Sequence, residues 1–447
     1  MSAALERHAA RRDRIAARLR EGGGQIGLAK ETSNLFRDRA GPTRRRLDVR
    51  EFREVLRVDP AAGVVEAEGM ASYETLVAAC LPQGVMPTVV PQLKSITLGG
   101  AVAGVGIEAS SHRHGLVHES VLELEVLTGD GRIVLCTPHN EHADLFYALP
   151  NSYGTLGYAL RVAARTAPVK RFVRLEHRAF GRGEDCFAAL RDIMRAGEAD
   201  FVDGTMFASD RIYLTLGRFV DEAPYASDYG YLDIYYRSVA AKREDYLSAH
   251  DFIWRWDTDW FWCSENLLAQ NPLVRRLYGR ARLNSRTYTR IMRWNSRVGL
   301  THWIDRLQGL HAESVIQDVD VPLERAAEFL DFFAREIGIW PAWLCPIMPQ
   351  ADADRFTLYP MRREPYVNFG FWDVIRTRKG HEPGHFNRMI ENEVARLGGI
   401  KSLYSDSYYD RDEFSHIYGG STYRGLKEKY DPSGTFPTLY EKCVLKH

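Results

Sequence analysis

Thr97-Leu98-Gly99-Gly100-Ala101-Val102-Ala103-Gly104-Val105-Gly106-Ile107-Glu108-Ala109-Ser110-Ser111-His112 is a run with almost no side-chain bulk that ends in an acid, two hydroxyls and an imidazole. It reads in three ways. Gly104-x-Gly106-x-x-Ala109 matches the fingerprint of a Rossmann dinucleotide unit, and Glu125 follows where such a unit places its ribose-binding acid. That loop should open a helix of about ten residues, whereas Ser110 to Gly115 is short, polar and closed by glycine. The second reading is an extended loop, in which Thr97, Gly99, Gly100, Ala101, Ala103, Gly104 and Gly106 let main-chain N–H groups grip a pyrophosphate as a nest of donors. The third is a tight turn between core elements.

Outward from this run, the pattern mixes helices and strands. Residues 3–20 read as a helix stopped by Gly22, Gly23 and Gly24. Strands are expected at 25–29, 46–50 and 62–68, and a helix at 71–82 entered through Ser72. The alternation in 121–127 predicts a half-buried strand, turned by Asp130-Gly131 into a second at 132–136. Further strands are expected at 158–168, 172–178, 202–208, 212–218 and 366–372, with helices at 183–196 and 323–337. Trp254, Trp256, Trp260 and Trp262 lie close together. They read by default as core, with an oligomer face or a membrane contact as alternatives.

Composition narrows the class. The chain has 447 residues, 45% hydrophobic and 26% charged. Domains hold roughly 100–200 residues, so two or three lobes are expected. Lys+Arg and Asp+Glu are both 59, which argues against nucleic acid as a partner. The run Arg44-Arg45-Arg46 reads as a solvated loop. Six widely spaced cysteines without a CxxC pair point to neither a disulfide framework nor a metal site. They suit a reducing compartment, so a cytoplasmic location is expected. No stretch nears ~18 apolar residues, so no transmembrane helix is expected.

A wider set of residues carries a resemblance. The run from Thr97 to His112 resembles the diphosphate-binding loop of FAD-linked oxidases with the p-cresol methylhydroxylase (vanillyl-alcohol oxidase) fold. Ser110 to Leu116, Cys136-Thr137-Pro138, Asp144 to Ala148, Gly154-Thr155-Leu156-Gly157, Trp343-Leu344-Cys345-Pro346 and Leu403 to Tyr408 with Arg411, Glu413 and Phe414 resemble its delta(24)-sterol reductase branch. The chain is similar, too, to bacterial FAD oxidoreductases that reduce a methylene branch on a fatty acyl chain.

The resemblance implies an α+β fold: a two-part FAD-binding domain of p-cresol methylhydroxylase type with an inserted α+β substrate cap. The parts would be 1–172 for the N-terminal piece, 173–399 for the cap and 400–447 for a segment returning to the flavin. FAD would be held without a covalent bond, because residues 26–40 offer neither histidine nor cysteine. The cofactor contacts implied are Thr97, Leu98, Gly99, Gly100, Ala101, Ala103, Gly104, Val105, Gly106, Ser110, Ser111 and His112, with Gly154, Thr155, Gly157 and Arg411. The activity implied is reduction of an isolated carbon–carbon double bond in a lipid, an acyl chain or a sterol side chain. Hydride would come from reduced flavin N5 and a proton from an acid on the other face of the alkene. Glu108, His112, Tyr404, Tyr408 and Tyr409 are the candidate acids. Trp343, Cys345, Asn368 and Phe369, with Trp340 and Trp372, are candidate walls of the substrate pocket. NADPH is the expected transient donor and peripheral membrane contact an accompanying expectation. An oxidase of an alcohol or sugar, and a non-catalytic protein that kept the fold, remain alternatives.

Overall fold

Two antiparallel sheets, laid against each other through the segment that follows the glycine-rich run, organise the molecule. The structure is a computed structural model that describes residues 3–30, 36–37, 45–298 and 309–446. The class is α+β, as the sequence indicates.

Near the N-terminus β1 (Ile26–Ala29) and β2 (Arg45–Asp48) pair in parallel. Arg45 lies in a strand rather than in a solvated loop. Its guanidinium donates to the carbonyls of Arg18, Leu19 and Gly22, capping the helix Ala3–Arg20. Those last carbonyls have no partner inside the helix, so a cation there satisfies them.

The first sheet contains β3 (Val55–Asp59), β4 (Val64–Glu68), β5 (Val85–Pro87), β6 (Val121–Leu127), β7 (Ile133–Cys136) and β8 (Tyr158–Pro168). Its order is β3-β4-β8-β6-β7, with β5 on the far end of β8. The β6–β7 hairpin turns at Gly131, at φ 79°, where glycine carries no steric penalty.

The second sheet has eight strands: β9 (Phe172–Phe180), β10 (Phe201–Ala208), β11 (Arg211–Val220), β12 (Glu244–Ser248), β13 (His311–Pro322), β14 (Ala342–Ile347), β15 (Tyr366–Thr377) and β16 (Ile400–Lys401). They run in the order β12-β9-β11-β10-β14-β15-β13-β16. Side chains alternate across a strand, so each strand sends every second residue to one face. Val202, Met206, Leu214, Leu344, Phe369 and Phe371 point to the outer face. There they form one core with Phe187 and Leu190 of the helix Gly183–Ala196, Phe329 of the helix Ala326–Phe332 and Ile390 of the helix His385–Arg396. Each such burial contributes ~1.5–3 kcal/mol. The inner face is different, and it carries the site.

The four tryptophans at 254–262 are all buried, in the larger core shared by the first sheet and the inner face. After β16 the chain returns to the N-terminal region. The Phe36 N–H donates to the Tyr404 carbonyl, Ile26 N–H to Thr435 and Gly129 N–H to Tyr430.

Candidate active site

The glycine-rich run is a short helix rather than the extended loop expected. Thr97 caps it by accepting from the Gly100 N–H at 3.3 Å, and helical residues run from Leu98 to Ala103. It closes when the Gly106 N–H bonds the Ala101 carbonyl at 2.9 Å across Val105, which lies at φ 49°. This is a Schellman-type ending with valine in the left-handed position that glycine usually fills. The glycines serve close packing first. A Cβ on Gly99 would stand 2.9 Å from the Gly69 carbonyl oxygen, and one on Gly106 would stand 3.0 Å from Pro91 and Val117 side-chain carbons. Leu98 and Ala101 are buried in the core beneath.

Strain gathers around this turn. Val105, Asn151 and Tyr153 all take positive φ without being glycine, at a cost of order 1–3 kcal/mol each, and such residues cluster at ligand sites. The Tyr153 N–H reaches the Ala103 carbonyl, its hydroxyl pairs with Ser402 at 3.2 Å, and Arg37 lies over its ring. Gly154, Thr155 and Gly157 shape the same turn. Gly154 and Gly157 leave no room for a Cβ beside Tyr158 and Val126, and the Thr155 hydroxyl is taken by the Ser152 carbonyl. Buried polar atoms without a partner among the described residues include Thr88 Oγ1 and Gln92 Nε2 ahead of the run, Ser152 Oγ in this turn, and Ser405 Oγ and Ser407 Oγ on the returning segment. Each left unmet costs ~1–3 kcal/mol. A dinucleotide with phosphate, ribityl and ring acceptors and donors fits such a set, so these residues suit FAD.

His112 does a different job from the one expected. Its Nδ1 lies 2.9 Å from the Ala109 carbonyl and its Nε2 3.1 Å from the Ala199 carbonyl, so neither ring nitrogen faces a ligand. Burial lowers its pKa, against the pull of those carbonyls. The neutral ring lies between the glycine segment and Ala199, two residues before β10, and its one N–H donates to one of the two carbonyls. Ser110 donates to the Thr88 carbonyl, and Ser111 accepts from the Glu108 N–H. The Val202 N–H donates to the Ala109 carbonyl, the Met348 N–H to the Ser111 carbonyl and the Cys345 thiol to the Glu108 carbonyl. Residues 108–112 therefore lie directly on the inner face of the second sheet.

Across that face the strand registers align His177, Thr215, Asp203, Cys345, Asn368 and Asp320 as one row from β9 to β13. All six are buried. Trp343, Gly370 and Asp318 align in the next row. The outer face is mostly apolar, with Gln317 and Asn387 paired on it, and buried polar rows such as those of the inner face are costly unless they serve a site. Trp343, Cys345 and Asn368 belong to these rows. Phe369 does not: one residue along from Asn368, it faces the outer core and packs on Phe329 at 4.6 Å.

Two acidic groups stand in this region. Arg255 bridges Glu108 at 3.2 Å and Asp203 at 2.8 Å, and Asp203 also receives the Trp256 and Trp343 indole N–H groups. Burial pushes Glu108 up to about 7, against the attraction of Arg255 and with Asp203 adding to the rise. The Glu108 Oε2 has no partner among the described residues. The second group has no cation bonded to it among the described residues. Asp320 accepts from Asn368 at 2.7 Å and from Tyr359 at 2.8 Å, and burial raises it to about 6 against those hydrogen bonds. Burial, with Asp320 adding to it, raises Asp318 to about 8, against a hydrogen bond from Tyr404. The Tyr404 hydroxyl also accepts from the Trp372 indole at 2.8 Å. Asp318 is therefore mostly the neutral acid at pH 7.

Aromatic rings wall the group. Phe261 packs on Trp372 at 4.5 Å, on Trp256 at 4.8 Å and on Trp343 at 5.6 Å, and Trp262 meets Trp372 at 5.4 Å. Trp260 and Phe261 both take positive φ, a second strained point beside the acids. Tyr408 and Arg411 lie elsewhere. The Tyr408 ring sits over Gly384 with Lys446 above it, and Arg411 stacks on Tyr440 at an exposed helix start. Tyr409 packs among Phe414 and Tyr418. Trp340 packs on Phe333 in the outer core. Asp318, Asp320, Asp203, Arg255 and Tyr359 were not anticipated from sequence. The available signal was Asp318-Val319-Asp320, acids at every second position of an apolar strand.

The FAD binding domain family matches residues 31–137. Delta(24)-sterol reductase of Homo sapiens is 29% identical over 408 residues, covering 87% of this chain and 76% of that protein. The Pisum sativum delta(24)-sterol reductase is 26% identical over 463 residues, covering 89% and 76%. Cytokinin dehydrogenase 1 of Oryza sativa subsp. japonica is 30% identical over 162 residues, covering 35% of this chain and 30% of that protein.

Proposed function

Because the chain belongs to the FAD-linked oxidoreductases that include the delta(24)-sterol reductases, and is thus an FAD-dependent enzyme acting on a carbon–carbon double bond, we propose that it saturates an isolated alkene in a sterol side chain with NADPH as electron donor. The balance is alkene plus NADPH plus a proton giving alkane plus NADP⁺. The observation that supports this reading most is Asp318: a carboxyl raised to about 8, with Tyr404 against it and aromatic rings nearby.

An unactivated alkene has no carbonyl to take up charge, so its reduction needs an acid that still holds its proton at neutral pH. Burial keeps Asp318 in that form. It gives the proton to one alkene carbon, and Tyr404 and Trp372 fix its position. Positive charge then grows on the more substituted carbon. The faces of Phe261, Trp343 and Trp372 stabilise such charge by ~0.5–2 kcal/mol each and exclude water that would trap it. Reduced flavin, when bound, supplies the hydride. Residues 88–92, the turn from Val105 to Ser111 and the turn 151–157 would hold it, with Ser405 and Ser407. Glu108, tied to Arg255, acts in this account as a positioning residue for the segment beside the cofactor.

Anaerobic titration of the purified protein separates the readings. NADPH should bleach the flavin, and a sterol with an unsaturated side chain should restore its colour while becoming saturated. Bleaching by an alcohol or sugar instead would establish an oxidase. Colour restored by a methylene-branched acyl chain and not by the sterol would move the substrate to fatty acyl lipids. A colourless protein that takes up no FAD would end the proposal.

A further inference from the structure

Nine large apolar side chains stand exposed among the described residues, and five of them lie between 268 and 294: Leu268, Leu273, Leu277, Met292 and Trp294. Leu273 and Leu277, one turn apart on the helix Pro272–Tyr278, are 68% and 81% exposed, and Trp294 on the helix Ser285–Val298 is 57% exposed. The charge along this stretch of chain is basic, although Arg275, Arg280 and Arg286 pair with Asp259, Asp228 and Glu74. Between Glu265 and Asp305 the sequence carries eight arginines and no acidic residue, in a chain whose total charge balances to zero. Arg276, Arg282 and Arg290 are exposed.

This surface is anchored to the aromatic wall. Buried Arg275 is paired with Asp259, the Ser285 hydroxyl donates to Asp257, the Tyr288 hydroxyl donates to the Thr258 carbonyl, and Gln270 donates to the Trp262 carbonyl. Each strut reaches the segment 257–262, which carries Trp260, Phe261 and Trp262.

We propose that the helices Pro272–Tyr278 and Ser285–Val298 dock the protein on an anionic lipid surface, with Leu273, Leu277 and Trp294 entering the interfacial layer and the arginines meeting headgroup phosphates. Exposed leucines beside the exposed Arg276, Arg282 and Arg290 fit this occupant better than a second copy of the chain. Protein interface cores are depleted in charge, and a two-fold contact would set these arginines against their own copies. Trp294 matches the preference of indole rings for the membrane–water boundary. Docking stands independently of the alkene reaction. Only the passage of a lipid from this surface past Trp260 to Trp262 rests on the function proposed above.

The test is co-sedimentation of the holoenzyme with vesicles of saturated phosphatidylcholine, alone or mixed with phosphatidylserine, which hold no alkene substrate. The holoenzyme should pellet with the anionic vesicles, less so in high salt. Leu273→Asp with Leu277→Asp should abolish pelleting. Arg276→Gln, Arg282→Gln and Arg290→Gln should weaken it by about fivefold per arginine. Both variants should keep the flavin absorbance and the turnover of detergent-dispersed substrate. The proposal is overturned if the wild type does not pellet, or if neither variant changes pelleting. It is equally overturned if the wild type is a dimer that binds no vesicles and that the leucine variant makes monomeric.

Discussion

Gly370 faces Asp318 across the β13–β15 pair, and a Cβ there would stand 2.6 Å from Asp318 Oδ1 and 2.7 Å from the Trp372 ring. The acid and the ring occupy the space a side chain would need. Gly370→Ala should therefore leave FAD content unchanged and lower alkene turnover by about 100-fold, since a shift near 1 Å in a reacting group costs that much. Turnover equal to wild type would remove Asp318 from the chemistry. Phe369→Ala should act oppositely. It empties part of the outer core, so unfolding should become about 3–5 kcal/mol easier, while the KM for substrate in the folded enzyme stays unchanged. A raised KM would restore Phe369 to the pocket. The contrast explains what was legible at this scale. Asn368 and Phe369 are both prominent in sequence, but which one faces the site depends on the register of β15 against β13 and β14, which residue type alone does not disclose. His112 stands out in the same way, yet both its nitrogens face carbonyls, of residues 109 and 199, and the second of these lies far off in the chain.

Elements with long periodic patterns or clear flanking turn signals were legible, and the short helix within the glycine-rich run was not. The helix Ala3–Arg20, the β6–β7 hairpin and β8 carry repeats or turn residues over enough length to declare themselves. The six-residue helix Leu98–Ala103 has too few residues for a repeat, and its glycines imitate a loop, although Thr97 supplied a capping signal. The N-terminal helix offers a prediction of its own. Buried His8 places Nδ1 2.8 Å from Glu68 and Nε2 2.8 Å from Glu125, and Arg11 and Arg12 pair with the same two carboxylates. Only the imidazolium can donate at both nitrogens. Burial opposes that charge, but the two carboxylates outweigh it and raise the His8 pKa above its usual 6.5. A group raised on folding stabilises fully below its unfolded value and loses that contribution as pH climbs through the folded one. His8→Gln should thus lower the melting temperature most near pH 6, with the deficit shrinking toward pH 9. A deficit that does not change with pH would show that His8 is held neutral.

At the scale of the whole molecule, the site is assembled from pieces far apart in sequence. Glu108 follows the glycine helix, Asp203 and Arg255 come from β10 and the segment after β12, Asp318 and Asp320 from β13, and Tyr404 from the returning C-terminal stretch. Motif resemblance indicated the FAD unit and the class of reaction because those depend on local runs. Glu108 and Tyr404 were among the candidates named there, but Asp203, Asp318 and Asp320 escaped it because they align only through the registers of strands distant in sequence. The account stands on one of them, Asp318, acting as the proton donor. The decisive measurement mixes NADPH-reduced enzyme anaerobically with the unsaturated sterol across pH 6 to 10 and follows the return of flavin colour in wild type, Asp318→Asn and Glu108→Gln. The account predicts a wild-type rate that is level at low pH and falls above about 8. It predicts a rate about 10²–10⁴-fold lower in Asp318→Asn, with reduction by NADPH unaffected and a smaller loss in Glu108→Gln. Reoxidation of Asp318→Asn as fast as wild type, with the same pH profile, would contradict it.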